Sequence, residues 1–84
     1  MKHFASPDFW VCFESLPDAV QVLARRNYEL LKENPLHPSL HFKKIINYRS
    51  VRVGLHYRAL GVDVQDGILW FWIGKHTAYD KLLS

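Results

Sequence analysis

A chain of 84 residues has room for one domain, residues 1–84, and no more. Its 49% hydrophobic and 14% aromatic content excludes a disordered chain, and its single cysteine, Cys12, excludes both an internal disulfide framework and a cysteine-rich zinc site. The formal charge of +3 is mild, so the placement of the cations matters more than their sum.

The longest apolar run, residues 68–73, is far too short to span a membrane. The N-terminal residues hold no apolar run of signal-peptide length. A soluble protein of the cytoplasm, without a membrane partner, is expected.

In chain order, residues before Ser6 form a brief edge strand. Ser6-Pro7-Asp8 starts a helix: serine caps it, proline fits the first helical position, and the acid suits the positive end of the helix dipole. Phe9, Trp10, Phe13 and Leu16 follow at roughly helical spacing, and the helix ends near Ser15. Ser15-Leu16-Pro17-Asp18 repeats the start signal. Val20, Leu23, Ala24 and Leu31 then share one helical face up to about Asn34. Two prolines, Pro35 and Pro38, make the next stretch a loop.

From Leu40 the pattern turns to strand. Residues 40–46 form one strand, Asn47-Tyr48-Arg49 a turn, and residues 50–60 a single long strand. In that strand Val51, Val53, Leu55, Tyr57 and Ala59 alternate with Arg52, Gly54, His56 and Arg58. Asp66-Gly67 is a hairpin turn signal. Residues 68–73 are apolar on both faces, as in a strand inside a sheet, and residues 77–83 form a short C-terminal helix capped by His76 or Thr77. Helices followed by strands argue an α+β fold: two N-terminal helices packed on a twisted antiparallel sheet of three to four strands, with a short C-terminal helix.

Arg52, His56 and Arg58 share a strand face by their spacing. Guanidinium groups are always charged and fork onto phosphate oxygens, so such a face suits phosphate; the plainer alternative is a solvated sheet face. Lys43 and Lys44 precede them, and strand pairing brings at least one to the arginines; protection of an edge strand explains lysines equally well. His76, Tyr79 and Asp80 follow the buried strand. Histidine titrates near neutrality and suits proton transfer, tyrosine can donate a hydrogen bond, and the aspartate can orient the histidine. The alternative is that His76 caps the last helix while Tyr79 packs in the core. The five histidines lack metal-ligand spacing and no Gly-rich phosphate loop is present, so neither metal nor cofactor is expected. Cys12 reads as core, and Trp70 and Trp72 read as packing ahead of base stacking.

Several segments together resemble the RelE/ParE toxin superfamily: Phe9-Trp10, Leu16-Pro17, Asn34-Pro35-Leu36-His37-Pro38-Ser39-Leu40-His41-Phe42-Lys43, Val51-Arg52-Val53, Tyr57-Arg58-Ala59-Leu60, and Trp70-Phe71-Trp72-Ile73-Gly74 with His76 and Tyr79-Asp80. The resemblance covers almost the whole chain. It implies a type II toxin–antitoxin toxin, a ribosome-dependent mRNA endoribonuclease working without metal by attack of the ribose 2′-hydroxyl on the adjacent phosphate. The implied partners are a cognate antitoxin, the ribosome and mRNA. By the same resemblance Arg58, His76 and Tyr79 are the catalytic candidates, and Arg52, Lys43, Lys44 and His56 contact RNA phosphate. The implied alternative is a non-catalytic module of the same fold, either a DNA gyrase poison or an inactive RelE-like protein.

Overall fold

A computed structural model describes residues 1–84. The order of elements is β1 (Lys2–Ala5), α1 (Pro7–Glu14), α2 (Asp18–Glu33), a 3-10 turn (Pro38–Leu40), β2 (Lys43–Ile45), β3 (Tyr48–Val53), β4 (Tyr57–Val64), β5 (Gly67–Lys75) and α3 (His76–Leu83). The class is α+β, as expected, but the sheet has five strands in the order β1-β5-β4-β3-β2, and it is mixed. β1 runs parallel to β5, and every other pairing is antiparallel.

The strands differ from the expected ones at two places, and the first adds the fifth strand. The stretch read as one strand over residues 50–60 is a hairpin, with Val53 paired to Tyr57 across a turn at residues 54–56. Gly54 makes that turn at φ +66, and a β-carbon there would sit 2.7 Å from Leu23 Cδ2. The turn placed at Asn47-Tyr48-Arg49 lies instead at Ile46-Asn47, with Ile46 at φ 57, so β3 begins already at Tyr48.

The helix starts follow the local chemistry. Ser6 Oγ accepts from the Phe9 backbone N–H at 3.2 Å, and Pro7 occupies the first turn of α1. Pro17 caps α2 without a side-chain bond, with Asp18 in the first turn. Lys75, not His76 or Thr77, caps α3, and His76 is its first residue. α1 and α2 cover one face of the sheet, where Phe13, Leu16, Leu31, Val51, Val53, Ala59, Ile68, Trp70 and Ile73 form the core with Leu40. Tyr79, the buried side chain of α3, reaches the opposite face. No helix is long and apolar enough to cross a membrane.

β1 is tied to the sheet by a side-chain bond as well as by its ladder. Trp70 Nε1 donates to His3 Nδ1 at 3.1 Å, which fixes Nδ1 as the acceptor. Burial, the N-terminal ammonium and Lys32 all push the His3 imidazole below its ordinary range. The unfolded chain therefore takes up this proton before the native protein does, and protonation removes the acceptor from Trp70. Stability contributed by neutral His3 is present above the unfolded value and is lost as pH falls through it. Denaturant midpoints should fall between about pH 7.5 and about pH 5.5, and fall less in His3→Gln, which has no titrating ring.

Candidate functional site

Alternation along β3 and β4 fixes what faces away from the helices. Val51, Val53 and Ala59 enter the core under α1 and α2, so Ser50, Arg52, Arg58 and Leu60 turn to the other face. Arg52 and Arg58 are direct cross-strand partners, as are Ser50 and Leu60. On β2, Lys43 pairs with Ser50 and joins this face, whereas Lys44 pairs with Arg49 and points the other way.

Like charges directly opposite one another destabilise a sheet by roughly 0.2–1 kcal/mol. The fold places two guanidinium groups in that relation, at the wall of a cavity of about 180 Å³ lined by His41, Lys43, Ser50, Arg52, Arg58 and Tyr79. No carboxylate lines it, and none of its three permanent cations forms an ion pair. Arg52 Nη1 donates to His41 Nε2 at 3.0 Å, but its Nε is buried with no hydrogen-bond partner. Arg58 Nη1 donates to the Tyr57 carbonyl at 2.8 Å and to the Leu55 carbonyl at 3.5 Å, which leaves Nη2 and Nε for a ligand. An electropositive concavity with a buried, unspent donor suits a phosphate, whose oxygens accept several charge-assisted bonds at once.

The floor of the cavity is polar but rigid. Tyr79 and Ser50 are both buried, at 8% and 2% exposure, and their hydroxyl oxygens lie 2.8 Å apart. α3 thus fixes one side chain against β3 across the face that the arginines occupy.

The structure therefore brings Arg52, Arg58, Lys43 and Tyr79 together. It places the other expected site residues elsewhere. Lys44 approaches Asp63 at 3.7 Å, and Arg49 holds the same carboxylate with Nε at 2.8 Å and Nη2 at 3.3 Å. The Arg49 hydrogen bonds, with smaller help from Lys44, hold Asp63 below the ordinary carboxylate range. This acid is already engaged, on the far side of the sheet from the cavity. His56 lies in the β3–β4 turn, not on a strand face, and accepts at its carbonyl from the His76 backbone N–H at 2.8 Å. The two imidazoles are 6.2 Å apart, and His76 Nδ1 is 3.8 Å from Asp80 Oδ2, in an arrangement that does not line the cavity.

Two lining residues are additional to the expected set. Ser50 carries a signal in the sequence, since it precedes Arg52 by two and must share its face. His41 carries none: its position depends on a left-handed backbone, φ 46, at the end of the 3-10 turn. No group of three or more His, Cys, Asp or Glu side chains gathers as a metal site.

Comparison of the sequence with protein-family models and with curated proteins gives no match. The fold has solved counterparts. A chain of the RelB–RelE antitoxin–toxin complex from Methanococcus jannaschii superposes with a TM-score of 0.73 at 19% identity, over 96% of this chain and 99% of that one. A copper-bound mutant toxin from Helicobacter pylori gives 0.66 at 17% identity, over 93% and 97%. The isolated E. coli RelE toxin gives 0.63 at 11% identity, over 96% and 97%. The chain has a RelE-like toxin fold.

Proposed function

We propose, on the premise of this RelE-like fold, that the protein is the toxin of a type II toxin–antitoxin pair and cleaves mRNA on the ribosome. One observation carries the reading: Lys43, Arg52 and Arg58 line a single cavity with no carboxylate, and the Arg52 guanidinium keeps a buried Nε without a protein partner. Ion pairing within the protein gives no reason for that arrangement, and binding of a phosphodiester does. The M. jannaschii counterpart was solved with its RelB antitoxin, and a cognate antitoxin is the corresponding partner for this chain.

In this reading the scissile phosphate enters the cavity and meets Arg52 and Arg58 from adjacent strands. Their fixed charges stabilise the negative charge that grows on the phosphate oxygens as the 2′-hydroxyl attacks. Lys43 holds the neighbouring backbone. The ribosome presents the mRNA in an extended form and supplies most of the orientation.

Induction in cells followed by mapping of mRNA 5′ ends tests the proposal. New ends within translated codons, absent for Arg58→Ala, are expected. Growth arrest with intact mRNA and gyrase-dependent DNA breaks would overturn it in favour of a non-catalytic poison.

The two lysines give a separate check. Each phosphate contact to single-stranded nucleic acid contributes about 0.7 to the slope of log affinity against log salt. Lys43→Ala should reduce that slope by about this amount for a short RNA. Lys44→Ala, whose ammonium sits beside Asp63 on the other face, should leave it unchanged.

A further inference from the structure

We infer that His41 is the general base of the cleavage reaction, a role that rests on the nuclease reading above but assigns it a residue of its own. General-base catalysis requires a proton acceptor within hydrogen-bond reach of the 2′-hydroxyl, hence beside the bound phosphate. Arginine has donors only, so the Arg52 Nη1 contact at 3.0 Å makes His41 Nε2 the acceptor. In this contact Nε2 is the accepting atom, held by Arg52 at the wall of the cavity.

The surroundings set no carboxylate against that acceptor. The groups facing it are Lys43 two residues along the chain, Arg52 and Arg58 from the β3–β4 hairpin, and Tyr79 from α3. None is a carboxylate that would bind and retain an imidazolium. When a phosphate takes up the Arg52 donors, the Nε2 lone pair is released next to the phosphate that released it. The backbone is also set for this purpose. His41 adopts φ 46, closing the 3-10 turn with its N–H on the Pro38 carbonyl at 3.3 Å, and fully buried Leu40 anchors the segment. Left-handed backbone at a non-glycine residue is uncommon and persists where the surroundings enforce it.

The chemical step balances without a co-reactant. The O2′–phosphorus bond forms and the phosphorus–O5′ bond breaks. The 2′-hydroxyl proton passes to His41 Nε2, and the leaving O5′ takes a proton from water. The products are a 2′,3′-cyclic phosphate and a 5′-hydroxyl end, and the imidazolium returns its proton to solvent.

Single-turnover cleavage of ribosome-bound mRNA by the full chain tests the assignment with His41→Asn, His41→Gly and His76→Gln. Asparagine and glycine both accept a left-handed backbone, so the turn is retained. Both His41 variants should cleave at least about 100-fold more slowly and lose the acid limb of the pH–rate profile. Added imidazole should restore the glycine variant, which a purely structural histidine would not permit. His76→Gln should change the rate less than about threefold, because its ring does not line the cavity. Wild-type-like cleavage by His41→Asn, or an unchanged acid limb, would overturn the assignment while leaving the nuclease reading intact. Intact mRNA with the wild-type protein would overturn both.

Discussion

Replacing Arg52 and Arg58 together with alanine is expected to reduce RNA cleavage at least about 100-fold while leaving the fold in place. The two effects separate because the residues work against each other in the free protein. They are direct cross-strand partners on β3 and β4, and like charges in that relation cost stability. Neither forms an ion pair that its removal would break. The stability lost with the Arg58 bond to the Tyr57 carbonyl is offset by relief of this repulsion. The net change should stay within about 1 kcal/mol. Denaturant unfolding and single-turnover cleavage, measured on the same preparation, read the two quantities. A double variant that unfolds easily would show that the arginines serve the fold, and a stable, fully active one would show that they only solvate a surface.

Truncating Tyr79 should do the reverse, with its largest effect on stability. Tyr79 is the one buried side chain of α3, and its hydroxyl meets the Ser50 hydroxyl at 2.8 Å. Tyr79→Ala removes an aromatic ring and opens a cavity beneath α3, which costs about 3–5 kcal/mol. In a domain of this size that is a large part of the whole margin. Tyr79→Phe keeps the ring but strands the Ser50 hydroxyl, itself only 2% exposed, and should cost about 1–3 kcal/mol. Adding Ser50→Ala to Tyr79→Phe removes the stranded group. The double variant should then be more stable than Tyr79→Phe alone, whereas simple addition of two losses would show that the hydroxyls are not coupled. Because the same hydroxyl lines the cavity, Tyr79→Phe also tests whether it takes part in cleavage, free of the unfolding that alanine brings.

Particular residues show how far the sequence carried the fold and the site. The start of α1 was readable because Ser6, Pro7 and Asp8 act locally, through a cap, a fixed φ and a dipole. The β3–β4 hairpin was not, because its pattern imitates a single strand. Partners across it are Val51 with Ala59, Arg52 with Arg58 and Val53 with Tyr57, so odd and even positions keep their faces on both sides of the turn. The alternation therefore continues through residues 54–56, and the one local mark is Gly54 at φ +66. The same parity explains why Arg52 and Arg58 were correctly expected on one face although the strand expected to carry them is two. His56 lost its place for the complementary reason, since it falls in the turn where alternation has no meaning.

Lys43 and Lys44 illustrate a different limit. Their neighbours in sequence are alike, and only the β2–β3 register decides that Lys43 faces the cavity and Lys44 meets Asp63. That register depends on a turn made by Ile46 at φ 57, a residue with no turn propensity of its own. His41 is the extreme case, placed by tertiary packing of Leu40 and a backbone conformation that its sequence does not announce. The β1–β5 pairing was likewise not readable as parallel. A four-residue edge segment carries no direction; α1 and α2 take the chain from β1 to β2 at the opposite edge, and the run from β2 to β5 returns it beside β1.

The cavity between β2, β3, β4 and α3 is the proposed phosphate site, and the Arg52 Nε–Hε group reports on its occupancy. In an NMR titration with a short single-stranded RNA, the Nε–Hε signals of Arg52 and Arg58 should shift strongly and saturate together with the backbone amides of His41 and Ser50. Those of Arg49, whose guanidinium is held by Asp63, should stay in place. Saturable shifts confined to Arg49, Lys44 or the helix face, with Arg52 Nε–Hε unmoved, would contradict the claim.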